Sequence, residues 1–120
     1  RFCRAGHVPL LKAMNGEVKS FRTQGLGVGL EKGDIFSRTL VEEEIQLQQG
    51  QIFAFFSDGI VEAMNESEDL YGEENLSALL INKTEKKSAE IIHEIWNSLT
   101  TFRGKAEQND DMTMVIVKVH

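Results

Sequence analysis

Two acidic positions in this chain stand where carboxylates could do chemistry. Asp58 follows the apolar run Ile52-Phe53-Ala54-Phe55-Phe56-Ser57, and Asp110-Asp111 precede the alternating run Met112–Val119. If both runs are strands lying side by side and antiparallel, the end of one meets the start of the other. Asp58 and Asp110 would then face each other across one rim of a sheet. Carboxylates held that close repel unless one takes a proton or a cation sits between them. The single cysteine, Cys3, excludes both a thiolate cage and an intrachain disulfide. Oxygen donors with no nearby Cys or His pair favour Mg²⁺ or Mn²⁺. Gly59 lets the backbone turn sharply and approach an ion closely. Asp-Gly is also an ordinary turn dipeptide, and Asn109-Asp110-Asp111 could be no more than a polar loop. On these residues alone both readings stand.

The elements that must position these residues are strands first and helices later. Arg1–Ala5 and Leu10–Ala13 read as strands, Asn15-Gly16 as a hairpin turn, and Val18–Arg22 as the returning partner. Gly25-Leu26-Gly27-Val28-Gly29-Leu30 forms a glycine-spaced loop. The partial alternation of Ile35–Leu47 predicts a long, half-exposed strand. Gln51–Ser57, apolar on both faces, predicts a central strand covered on both sides. Leu76, Leu79 and Leu80 place a helix over Glu73–Asn82. A longer helix runs from an N-cap at Ser88 to about Phe102, closed by Gly104. Its expected buried stripe is Ile91, Ile92, Ile95, Trp96, Leu99 and Phe102. The order of elements makes the fold class α+β, with the last strand returning into the sheet.

Composition narrows the function classes. At 120 residues and 41% hydrophobic, the chain can form one core and no more. Nineteen acidic residues against 13 basic give a net charge of −6, and the only adjacent basic pair is Lys86-Lys87. That is not the footprint of a nucleic-acid binder. A phosphorylated substrate would need cations to approach so acidic a surface. The run Ile52–Phe56 is far too short to span a membrane. The opening residues show no basic stretch leading into an apolar one, as a signal peptide would. A lone thiol fits a reducing compartment, so a cytoplasmic location is expected. Arg1–Ala5 reads as the middle of a strand, and the expectation is a fragment of a longer domain.

Four segments, in order along essentially the whole chain, resemble one family. Ala5-Gly6-His7-Val8-Pro9 is similar to its Ala-Gly-His-Asn-Pro element. Ser57-Asp58-Gly59-Ile60-Val61-Glu62-Ala63 resembles its Thr/Ser-Asp-Gly-hydrophobic-hydrophobic-Glu-Ala element. Tyr71-Gly72-Glu73-Glu74-Asn75-Leu76 looks like its Phe/Tyr-Gly-x-x-x-Leu helix start. Gln108-Asn109-Asp110-Asp111-Met112-Thr113 resembles its Gln-x-Asp-Asp-hydrophobic-Thr terminus. The family is that of the PPM metal-dependent protein serine/threonine phosphatases, in the branch of stage II sporulation protein E. Val8 departs from the family's Asn, and Gln51 stands where Gly-Asp is common. Neither is a metal-ligand position.

The resemblance implies the C-terminal part of a β-sandwich flanked by helices, with two Mn²⁺ or Mg²⁺ ions at one end. It matches Asp58 and Asp110 to metal-binding, catalytic aspartates, and gives Asp111, Gly59 and His7 supporting roles. The family's upstream Gly-Asp-Val-x-Gly-His-Gly element, whose Asp bridges both ions, has no match here. The implied reaction is attack by a metal-activated water on phosphoserine or phosphothreonine. The implied partners are a phosphorylated anti-anti-sigma factor of STAS type and an upstream sensor or receiver domain. The 120 residues alone should be inactive, and a homodimer is one way of covering the sheet edge they would expose. Two other classes compete: a non-catalytic protein-binding module on the same fold, and a generic α+β domain whose acidic rim is only solvated.

Overall fold

A computed structural model describes residues 1–120. Four strands make an antiparallel sheet in the order β3-β2-β5-β6: β2 Leu10–Met14, β3 Glu17–Phe21, β5 Ile52–Phe56 and β6 Met114–Lys118. β1 (Phe2–Cys3) and β4 (Glu42–Glu43) pair separately as a short antiparallel ribbon. Asn15 and Gly16 both have positive φ, as the tight turn joining β2 to β3 requires. Leu11 pairs with Ala54 and Ala54 with Ile116, which fixes the register across β2, β5 and β6.

Strand alternation then sorts the side chains. Leu11, Ala13, Ile52, Ala54, Phe56 and Ile116 face one side and form the main core with Leu76, Leu80, Ile91, Ile95 and Leu99. Those last five belong to α3 (Gly72–Leu80) and α4 (Ser88–Arg103), so both helices cover the same sheet face. The opposite face holds only a small cluster of Leu10, Phe21 and Phe53, flanked by Phe2, Ile45 and Val119. Phe55, Val115 and Val117 on that face remain 44%, 53% and 44% exposed. The central position of β5 is as the sequence predicts, but only its helix side is fully covered.

Three expectations need correction. Ile35–Leu47 is not a long strand: Asp34–Thr39 is a short helix, α1, with no buried residue, and only Glu42–Glu43 pairs. An Arg38–Asp34 ion pair at i,i+4 spans most of that helix (3.3 Å). Trp96 and Ile92 do not join the buried stripe of α4; they are 47% and 37% exposed. Ile91-Ile92 and Ile95-Trp96 are adjacent pairs about 100° apart on the helix, and the sheet takes Ile91, Ile95 and Leu99. Ser88 is the first helical residue rather than the cap. Lys87 takes that place, and its backbone N–H donates to the Glu90 carboxylate at 2.6 Å.

Candidate active site

β5 delivers Asp58 and β6 is preceded by Asp110 and Asp111, so antiparallel pairing brings the two acidic segments to one rim. The ladder continues one step past the strands, where the Ser57 N–H donates to the Thr113 carbonyl at 2.9 Å. The Ser57 hydroxyl donates to the Asp111 carbonyl and accepts from the Thr113 N–H, both at 2.9 Å. A single hydroxyl therefore clamps the acidic loop to the end of β5. Ser57 belongs to the motif visible in the sequence, yet its positioning role depends on a cross-strand register that only the structure supplies.

Gly59 completes the junction. It is buried at the start of the single-turn helix α2 (Asp58–Val61), which Ile60 anchors in the core. A Cβ at this position would lie 2.5 Å from the Asp111 carbonyl oxygen and 3.3 Å from the Asp110 carbonyl carbon. The close approach that demands glycine is thus to the backbone of the second acidic segment, which is pressed against the first.

The two aspartates are held alike. Asp58 Oδ1 accepts the Gly59 N–H at 3.1 Å, and Asp110 Oδ1 accepts the Asp111 N–H at 2.7 Å. Gln108 Nε2 donates to the Asp110 carbonyl at 2.8 Å and steadies the loop further. One oxygen of each carboxylate is oriented, and the other has no partner within the protein. Both side chains are exposed, as is that of Asp111, whose contributions here come from its backbone. No third Asp, Glu, His or Cys joins them in a metal-binding group. The donor set is all oxygen and suits a hard cation such as Mn²⁺ or Mg²⁺, but two carboxylates are too few to enclose one.

His7 lies in the segment leading into β2, which the register carries to the same rim as Ser57. Its ring is exposed, and Nδ1 sits 3.4 Å from the neighbouring Val8 carbonyl rather than on either aspartate. Arg4 donates to the His7 carbonyl at 2.6 Å and to the Thr23 carbonyl at 2.9 Å, tying this segment to the loop after β3. On the helix side, Tyr71 is buried against Phe102, with ring centroids 5.3 Å apart, and donates to the Ser98 hydroxyl at 2.9 Å. Burial raises the Tyr71 phenol above its ordinary value of about 10, and the Ser98 hydrogen bond offsets part of that rise. Tyr71 also donates its N–H to the Ala63 carbonyl at 2.8 Å, fastening the loop after α2 to α4.

This fold is shared with phosphatase domains of the PP2C class. The SiaA-PP2C domain of Pseudomonas aeruginosa superposes with a TM-score of 0.77 at 19% identity, over 95% of this chain and 44% of that one. The PP2C phosphatase domain of Bacillus subtilis SpoIIE, solved with a fragment of its regulatory domain, gives 0.75 at 20% identity over 98% of this chain and 33% of that one. The B. subtilis SpoIIE phosphatase domain presoaked with Mn gives 0.63 at 20% identity, over 98% of this chain and 49% of that one. The chain therefore spans less than half the length of these solved relatives. The family model of stage II sporulation protein E matches residues 1–120, and the chain belongs to that family. None of the curated proteins shows a significant sequence match. No helix is long and apolar enough to cross a membrane.

Proposed function

We propose that the chain is the C-terminal portion of a metal-dependent protein serine/threonine phosphatase domain, with Asp58 and Asp110 holding a Mn²⁺ or Mg²⁺ ion. The observation that carries this reading is the joining of the two acidic segments at one rim by the Gly59 contact and the Ser57 clamp. A bound pair of such ions would supply an activated water for in-line displacement at phosphorus and neutralise charge on the phosphoryl oxygens. Asp58 and Asp110 each offer one unpartnered oxygen, oriented by the N–H that fixes the other. Asp111 supports Asp110 through that N–H, Gly59 allows the two backbones to touch, and exposed His7 stands at the edge of the site. The further carboxylate needed to bridge two ions belongs, in this reading, to a part of the domain beyond these 120 residues.

Membership of the SpoIIE family supports a phosphorylated protein as substrate. The finer proposal is a phosphorylated anti-anti-sigma factor of STAS type in a cytoplasmic signalling pathway, with a sensor or receiver domain upstream. A non-catalytic binding module has one observation in its favour, the small donor set within the chain. The deciding experiment is a Mn²⁺ titration of the complete protein, reading phosphate release from p-nitrophenyl phosphate and the melting temperature together. Saturable metal-dependent release is expected. A metal-dependent melting shift with no release under Mn²⁺ or Mg²⁺ would leave the binding module standing.

A further inference from the structure

Beside Asp110 lies a groove of about 240 Å³ whose walls include Gly59, Glu62, Met64, Leu70, Asn109 and Asp110. Its apolar side is built from the two ends of one loop. Met64 and Leu70 meet in an isolated antiparallel bridge, and the five residues between them are tied down by Asn65. Asn65 Oδ1 accepts from the N–H groups of Ser67 and Asp69, both at 2.9 Å, while its Nδ2 donates to the Asp69 carboxylate at 3.0 Å. Across the groove, Asn109 Nδ2 rests 3.8 Å from Met64 Sδ. Leu70 is thus 53% exposed on a fixed loop, at the lip of a depression that ends at a proposed metal ligand.

The charges around it are mostly acidic; the base beside them is Lys105, whose backbone N–H donates to the Glu66 carboxylate at 3.3 Å. Asp58, Glu62, Glu66, Glu68, Asp69, Asp110 and Asp111 lie on or next to this end of the molecule, and none forms an ion pair with Lys or Arg. The ion pairs of the chain draw instead on Glu42, Glu44, Glu73, Asp34 and Glu94. An acidic rim around an apolar lip complements a polypeptide carrying an apolar residue flanked by basic ones, and repels an acidic segment.

We infer that this groove receives the substrate polypeptide next to its phosphorylated residue, selecting an apolar neighbour at Leu70 and Met64 and basic flanks at Glu62 and Glu68. The inference rests on the phosphatase reading above, because a phosphoryl group at Asp58 and Asp110 places the adjoining residues at this lip. It adds what that reading lacks, a basis for choosing among phosphoproteins.

The test uses the complete protein and two synthetic phosphoserine peptides, each with a leucine beside the phosphoserine, one with arginine flanks and one with glutamate flanks. The readout is the ratio of their kcat/KM values, with dissociation constants from the anisotropy of labelled peptides. The arginine-flanked peptide should be preferred by tenfold or more, on the order of a few weak rim contacts. Leu70→Lys and, separately, Glu62→Lys should collapse that ratio, whereas Leu70→Met should keep it. General damage to the fold lowers both peptides together and leaves the ratio unchanged, so an unchanged ratio in both lysine variants overturns the inference. Equal use of the two peptides by the wild-type protein overturns it as well. Leu70-dependent peptide binding without any Mn²⁺-dependent turnover would support the groove and overturn the phosphatase reading.

Discussion

The rim depends on two small residues at the end of β5, the Ser57 hydroxyl and Gly59. Ser57→Ala removes the hydroxyl that joins Asp111 to Thr113, at a cost of about 0.5–1.5 kcal/mol in stability. The larger consequence falls on geometry: Mn²⁺ affinity of the complete protein should drop in calorimetric titration while far-UV circular dichroism stays unchanged. Gly59→Ala drives a methyl group into the Asp111 carbonyl, and overpacking of that kind costs about 1–3 kcal/mol. Thermal denaturation should show the loss, and an unaltered melting temperature would mean the two segments are not in contact. Tyr71 carries a pH dependence. Its phenol is raised in the folded state, so its contribution to stability is complete below the unfolded value of about 10 and disappears as pH rises through the folded value. Melting temperature should therefore fall on the alkaline side, and Tyr71→Phe should flatten that fall.

At the scale of elements, what was legible in the sequence is what repeats at a fixed period over enough residues. The β2–β3 hairpin, β5, α3, α4 and β6 all appear within a few residues of their expected limits. The segments carrying Asp58 and Asp110 meet because both lie at the ends of such elements, and the antiparallel register does the rest. The short helix Asp34–Thr39 was not legible, since six residues make under two turns and bury nothing that would mark a face. Nor could the sequence choose one member from each of the pairs Ile91-Ile92 and Ile95-Trp96, because the sheet accepts a narrower stripe than the run of apolar residues offers. Leu99→Ala should cost about 2–5 kcal/mol, because Leu99 is 1% exposed in the core. Trp96→Ala should cost under about 1 kcal/mol, in keeping with a side chain that is half in solvent. Denaturant midpoints of the two variants measure the contrast directly, and a larger loss for Trp96 would reverse the assignment of the helix face.

At the scale of the whole molecule, the chain is a slab of 45 × 36 × 19 Å, helices on one side and an open sheet on the other. Its radius of gyration, 15.6 Å, exceeds the roughly 14 Å of a compact domain of this length. Phe55, Val115 and Val117 form an exposed apolar patch on the β5–β6 side of the open face. The isolated 120 residues should self-associate in sedimentation experiments through this face, and Val115→Lys with Val117→Lys should return them to monomers. A monomeric wild-type chain at high concentration would contradict that account. Our proposal places one cation between Asp58 and Asp110, which lie 52 positions apart in the sequence. Its most direct test is the Mn²⁺ affinity of the complete protein bearing Asp58→Asn, Asp110→Asn or both. Each single variant should lose about tenfold or more, and the double variant should lose far less than the sum of the two, as coupled ligands of one ion do. Wild-type affinity in either single variant, or strictly additive losses, would show that the two aspartates do not share an ion.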